Sequence, residues 1–179
     1  MNKAAFLDRD GTINIDKDYL YRIEDFEYLP GAIDGLRLLQ DRGYLLIIIT
    51  NQSGIARGIY EEEDYLRLDA WMKEDLANKG ISITASYYCP HLVHGKIMQF
   101  AMDCDCRKPK PGMFYKAASD WNIDIDNSIA IGDRLRDLSI CEETECKGIL
   151  LSESEPADGI PSNIYQYKNW EDFNRHYNP

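Results

Sequence analysis

The run Tyr44-Leu45-Leu46-Ile47-Ile48-Ile49-Thr50 has no polar face. A strand that is apolar on both sides must be covered on both sides, which happens at the centre of a parallel sheet flanked by helices. Strand-like and helix-like segments alternate on either side of it. Ala4–Leu7 precedes it, and Thr84–Tyr88, Ser128–Gly132 and Gly148–Leu151 follow. Gly31–Arg42 places Ile33, Leu36 and Leu39 on one helical face and stops at Gly43. Glu61–Lys79 opens with three acids, carries Tyr65, Leu68, Met72 and Leu76 at helical spacing and ends at Gly80. Pro111-Gly112 starts a helix to about Trp121, and Leu135–Glu145 reads as another. Ile164–Tyr167 and a short helix at Trp170–His176 close the chain. This alternation predicts an α/β fold with a doubly wound, mostly parallel sheet, as one domain over residues 1–179. Ligands of such a sheet sit at the carboxyl ends of the strands, near the switch in strand order.

Composition narrows the class of protein. Hydrophobic residues make up 44% of the 179 residues and charged residues 28%, the balance of a soluble globular chain. The longest apolar stretch, Tyr44–Ile49, is too short to span a bilayer, and the start lacks a secretory core, so a cytoplasmic protein is expected. A net charge of −11 argues against nucleic acid as a partner, because phosphate backbones are bound through clustered Lys and Arg. A small phosphate ligand stays possible, since one pocket can be cationic on an acidic protein. Five cysteines is an odd number, and Cys89, Cys104 and Cys106 cluster, which without a secretion signal favours metal binding over disulfides.

The polar residues that matter fall where strands end. Asp8-Arg9-Asp10-Gly11-Thr12 follows the first strand, Thr50 ends the second, and Asp133 follows the fourth in Ile131-Gly132-Asp133. Lys108 stands in Arg107-Lys108-Pro109-Lys110-Pro111-Gly112, just before a helix. Each has a plain alternative: a turn carboxylate, a β-branched strand residue, a solvated lysine. In the predicted fold, however, all of them meet at one sheet edge. Carboxylates from two strands make a hard oxygen site suited to Mg²⁺, and a hydroxyl with a lysine suits a phosphoryl group. Cys89-Pro90-His91 with Cys104-Asp105-Cys106 supplies three thiolates and an imidazole, a closed tetrahedral set suited to structural Zn²⁺. His94 is the substitute for His91. Cys141 and Cys146 have no such partners and read as core residues.

On Asp8-x-Asp10-Gly11-Thr12, Thr50-Asn51, Lys108 and Gly132-Asp133, the chain resembles the haloacid dehalogenase superfamily of phosphotransferases across nearly the whole domain. The resemblance implies that Asp8 is the nucleophile and Asp10 the general acid, then base. It implies that Thr50 and Lys108 bind the transferring phosphoryl, with Asp8, Asp133 and the Asp10 carbonyl on Mg²⁺. Family members place a further acid near Gly-Asp; here Arg134 intervenes and Asp137 follows, outside the implied metal set. No large cap fits this length, which leaves Ile13–Leu29 and the loop 89–106 to close over a substrate.

Cys89-x-His91 with Cys104-x-Cys106-Arg107-Lys108-Pro109 resembles the small branch that holds heptose 1,7-bisphosphate phosphatases and histidinol-phosphate phosphatases. Asn51-Gln52-Ser53-Gly54-Ile55-Ala56-Arg57-Gly58 is more similar to the heptose side. By that resemblance Asp16, Lys17, Asp18 and Tyr19, with Thr50, Asn51, Gln52, Ser53, Arg107, Lys108 and Arg134, line a phosphorylated sugar. The implied reaction is Mg²⁺-dependent hydrolysis of D-glycero-D-manno-heptose 1,7-bisphosphate to the 1-phosphate, in lipopolysaccharide-core or related heptose synthesis, by a monomer. Histidinol-phosphate hydrolysis is the alternative enzyme, a polynucleotide 3′-phosphatase fits the acidic charge poorly, and a zinc-stabilised binding module is the non-enzymatic reading.

Overall fold

The computed structural model describes residues 1–154 and 160–177. Among them, six strands form one parallel sheet: β1 (Lys3–Leu7), β2 (Tyr44–Asn51), β3 (Ile83–Cys89), β4 (Ile129–Gly132), β5 (Lys147–Leu151) and β6 (Ile164–Tyr167). Their order is β3-β2-β1-β4-β5-β6. The chain therefore starts in the middle, steps outward through β2 and β3, and returns to the other side of β1 at β4. The switch in strand order lies between the carboxyl ends of β1 and β4, where a ligand crevice opens in such sheets. Asp8 follows one of these strands and Asp133 the other.

Alternation along the strands feeds two cores. Ala5, Leu7, Leu46, Ile48, Ile129 and Ile131 point to the face covered by α1 (Ala32–Asp41), α3 (Glu62–Asn78) and α5 (Trp170–His176). Ala4, Phe6, Ile47, Ile49 and Ala130 point the other way, onto α4 (Gly112–Trp121) and a 3₁₀ helix at Leu135–Glu142. Cys141 and Cys146 are buried free thiols in this second core, as a core role requires. No helix of the described residues is long and apolar enough to cross a membrane.

Three local readings change. Leu135–Glu145 is a 3₁₀ helix that ends at Glu142, because the Thr144 hydroxyl donates to the Ile140 carbonyl (2.7 Å) and accepts from the Cys146 N–H (3.3 Å), turning the chain away. Ser128 lies just outside β4; its hydroxyl accepts from the Ala4 N–H and donates to the Asp124 carbonyl. Glu61 caps α3 rather than opening it, with the Asp64 carboxylate accepting from its N–H at 3.0 Å. The short helix α2 (Gly54–Arg57) has no counterpart in the sequence pattern; it follows β2 directly and buries Ile55 and Ala56.

α5 braces the loop after β1. The Trp170 indole N–H donates to the Thr12 carbonyl at 2.6 Å, fully buried. Its ring lies on Gly35 of α1 so closely that a Cβ there would overlap the indole. Gly35→Ala is expected to cost about 1–3 kcal/mol through overpacking, read as a lower urea midpoint at unchanged m-value.

Candidate active site

Lys108 is the hub of the sheet's carboxyl edge. Its side chain is 1% exposed, and the ammonium donates to Asp8 Oδ1 (2.8 Å), Asp137 Oδ1 (2.7 Å) and the Ile49 carbonyl (2.7 Å). Three donors meet three acceptors, so the buried charge is fully satisfied. Asn51 places the lysine: its amide donates to the Lys108 carbonyl and accepts from the Lys108 N–H, each at 3.1 Å. Asn51, expected on the substrate, lines the site's cavity and also clasps the backbone that carries Lys108.

Asp8 is tied into the sheet by its N–H to the Ile131 carbonyl of β4 (3.0 Å). Its carboxylate, with those of Asp133 and Asp137, forms a group in which one oxygen from each lies within 4.8 Å of the others. Gly11, at φ +84°, lets the loop press against Asp133; a Cβ there would meet its Oδ2 at 2.7 Å. The Asp10 side chain is outside this group. It is held by a bidentate contact from Arg9 and by the amides of Asn14 and Gln52, each at 3.0 Å. Asp137, left out of the metal set in the sequence, joins the carboxylates of Asp8 and Asp133 because the 3₁₀ turn after Arg134 swings its side chain back under Gly132, and the three together could hold a metal ion.

Burial pushes the Asp8 carboxyl up to about 7, with Lys108 opposing and Asp137 and Asp10 adding to the rise. Burial, and then Asp137, raise Asp133 as well. Burial alone would lower Lys108, but Asp8 and Asp137 outweigh it and hold the ammonium above its ordinary value. Hard oxygen donors carrying more negative charge than one lysine offsets fit a divalent cation such as Mg²⁺.

A cavity of about 240 Å³ opens above this floor, lined by Asp8, Asp10, Thr50, Gln52 and Ser53. Asp16, Asp18 and Tyr19 form one wall; Asp18 and Tyr19 are both left-handed (φ 49° and 63°), a conformation that a tyrosine adopts only under constraint. Arg57, Arg107, Arg134 and Arg136 supply cations around it. Arg134 reaches Asp133 and Asp16 at 3.4 Å each, and Arg107 donates to the His91 carbonyl at 3.2 Å. Lys17 is turned to Glu27 and does not line the cavity. Gln52 is 2% exposed and its polar atoms are engaged within the protein. Arg57, Tyr60 and Arg136 are cavity residues outside the substrate set expected from the sequence; Arg57 ends the short helix α2, Arg136 sits in the 3₁₀ helix and Tyr60 in the bend before α3, none of which the apolar pattern encodes.

Cys89, His91, Cys104 and Cys106 converge beside this floor. Sulfur–sulfur distances are 3.6 Å for Cys89–Cys104 and 3.3 Å for Cys104–Cys106, and His91 Nδ1 lies 3.3 Å from Cys106 Sγ. The arrangement is compatible with zinc, with His91 in the group and His94 exposed outside it. The chain leaves Cys106 straight into Arg107 and Lys108.

The fold is that of the haloacid dehalogenase-like phosphatases. Residues 3–144 match the family model described as polynucleotide kinase 3 phosphatase, and the chain belongs to that family. It is 46% identical to the D-glycero-beta-D-manno-heptose-1,7-bisphosphate 7-phosphatase of Pasteurella multocida, over 84% of this chain and 82% of the relative. It is 49% identical to the D-glycero-alpha-D-manno-heptose-1,7-bisphosphate 7-phosphatase of Photorhabdus laumondii, over 76% and 74%. Among solved structures, the D,D-heptose 1,7-bisphosphate phosphatase of B. bronchiseptica, complexed with magnesium and phosphate, superposes with a TM-score of 0.79 at 28% identity, over 97% of this chain and 96% of that one.

The floor makes a prediction about metal-free protein. Folded Asp8 keeps its proton up to about pH 7, whereas an unfolded aspartate releases it near 3.8. Its contribution to stability is present at acid pH and is lost as pH rises through that window. In buffer without added magnesium, the urea midpoint should fall between about pH 5 and 7.5, and Asp8→Asn should flatten the slope. An equal slope in both proteins would refute the assignment.

Proposed function

We propose that this chain is a magnesium-dependent phosphatase that removes the C7 phosphate of D-glycero-D-manno-heptose 1,7-bisphosphate and leaves the 1-phosphate. The observation that carries this reading is the division of cations at one site: Lys108 buried beneath the cavity floor against Asp8, and four arginines around the walls. A monophosphate needs only the floor. A bisphosphate uses both, and Arg is suited to bidentate phosphate binding. The relatives named above support the choice of heptose and of C7.

In the proposed reaction a carboxylate oxygen of Asp8 attacks phosphorus, and the bond from phosphorus to the sugar oxygen breaks as Asp10 gives that oxygen a proton. An aspartyl-phosphate results. Water then attacks phosphorus, Asp10 takes its proton, and Asp8 leaves as the free carboxylate. Thr50 holds a phosphoryl oxygen, and Lys108 turns the donor now on Asp8 Oδ1 to the phosphoryl group as Asp8 is phosphorylated. Asp8, Asp133, Asp137 and the Asp10 carbonyl would hold Mg²⁺, which when bound offsets the repulsion between attacking carboxylate and phosphate. Asp16, Asp18, Tyr19, Ser53, Arg107 and Arg134 contact the sugar and its second phosphate.

Cys89, His91, Cys104 and Cys106 would hold a structural Zn²⁺, with no position open for water. Its effect is to fix the loop 89–106 and thereby Arg107 and Lys108. The chain is read as one catalytic unit acting as a cytoplasmic monomer, in a compartment where its five free thiols persist. Histidinol phosphate is the competing substrate; four cavity arginines oppose its ammonium group. A polynucleotide end, the substrate that the family model's description suggests, would need a cationic strip that a net charge of −11 argues against.

A phosphate-release comparison of heptose 1,7-bisphosphate, its monophosphates, histidinol phosphate and a 3′-phosphorylated oligonucleotide tests the assignment. The bisphosphate should have the highest kcat/KM, Asp8→Asn should reduce turnover to background, and Asp10→Asn should cost about 10²–10⁴-fold. Arg134→Ala should narrow the preference for bisphosphate over monophosphate, because the second phosphate lends binding energy to orient the first. Equal kcat/KM for bisphosphate and monophosphate would remove the heptose assignment.

The zinc assignment is tested separately. Cys104→Ser should lower Tm by about 5–10 °C and raise KM, without rescue by added magnesium. Elemental analysis of the parent protein, purified without chelator, should find about one zinc per chain.

A further inference from the structure

Arg9 is the buried charge for which the proposed reaction has no use. It lies between the two aspartates in sequence, yet its side chain is 0% exposed and faces away from the carboxylate floor. Its guanidinium grips both oxygens of Asp10 (2.8–3.2 Å), donates to the Leu20 carbonyl (3.0 Å) and reaches Gln52 Oε1 at 3.4 Å. Gln52 carries the connection onward. One amide hydrogen goes to Asp10 Oδ2 (3.0 Å) and the other to Thr50 Oγ1 (2.9 Å). Its carbonyl oxygen accepts from the Tyr60 hydroxyl at 2.5 Å.

Tyr60 is itself fixed. It is 6% exposed, stacks on Tyr21 with ring centroids 5.3 Å apart, and lies over Gly54, where a Cβ would run into its ring. The glycine after Ser53 is thus a requirement of Tyr60's position, as well as of the turn into α2.

We propose that Arg9, Tyr60 and Gln52 form a buried positioning relay that sets Asp10 and Thr50 in register for the proposed phosphoryl transfer, on which this inference rests. Gln52 is then a positioning residue and not a substrate contact. The chemistry lies in the amide's asymmetry. Tyr60 and Arg9 both donate to Oε1, which forces the NH₂ end toward Asp10 and Thr50. Without those donors the amide can rotate and present its oxygen to Asp10, which removes the N–H that holds Oδ2 and diverts the carboxyl proton to the amide. Asp10 would swing while the floor built on Lys108, whose partners are all different atoms, stays in place.

A displaced proton donor has a signature that lost stability lacks. A sugar oxygen must be protonated to leave, whereas p-nitrophenolate leaves without help. Single-turnover rates, with enzyme in excess, would be measured for Tyr60→Phe and Arg9→Lys on heptose 1,7-bisphosphate and on p-nitrophenyl phosphate. Tyr60→Phe should slow sugar release by about tenfold or more, with KM moving less than about twofold, and slow p-nitrophenolate release less than about threefold. Arg9→Lys, which keeps the charge but loses the fork, should show the same inequality. Equal slowing on both substrates, or no slowing on the sugar, overturns the relay. Wild-type activity on both substrates, abolished by Asp8→Asn, is the control: with it in hand, a failed inequality counts against the relay and not against the phosphatase reading.

Discussion

The three hydrogen bonds of the Lys108 ammonium organise the site. They join the residue after β1, the carbonyl of Ile49 near the end of β2 and the 3₁₀ turn after β4 through one buried charge that enters from a loop. Removing the ammonium would leave the buried carboxylates of Asp8 and Asp137 uncompensated, which is far more costly than the ion pairs are stabilising. Much else reads as a means of holding that ammonium still: the Asn51 clasp on its backbone, the cysteine loop that delivers it, and the carboxylates of Asp8 and Asp137 on either side.

The fold was legible because parallel strands have no polar face to disguise. Every apolar run read as a strand is one, with ends displaced by a residue, and the residues just past the strand ends are those that meet at the sheet edge. The distinction between α and 3₁₀ at Leu135–Glu142 was not legible, since apolar spacing over eight residues serves either. That distinction matters: the tighter turn is what brings Asp137 to the carboxylates of Asp8 and Asp133. Arg9 and Tyr60 were illegible for another reason. A charged residue between two aspartates reads as solvated, and only the burial of its side chain and the position of Gln52 give it work.

The two candidate metal sites sort themselves by chemistry without competing. Carboxylate oxygens favour a hard ion that exchanges its ligands readily, and three thiols with an imidazole favour zinc in a closed shell. One short segment connects them, from Cys106 through Arg107 to Lys108. A zinc held at the sulfur site would thereby steady Lys108 at the oxygen site, giving a chain of this size a fixed wall from a loop that has little core of its own.

An acidic protein proposed to bind a doubly phosphorylated ligand poses an electrostatic problem that the cavity resolves locally. Asp16, Asp18, Asp133 and Asp137 would repel phosphate, yet Arg134 is spread between Asp16 and Asp133, and Arg136 lies 4.0 Å from Asp137. These arginines are paired weakly, at distances where a phosphate can take them over with shorter, bidentate contacts. In the proposed complex the acids would do two things: pre-orient the arginines around the cavity, and weaken the binding of an anion that lacks the second phosphate needed to outcompete them. Selectivity for a bisphosphate then follows from the cost of breaking those pairs, and net charge over the whole surface has little part in it.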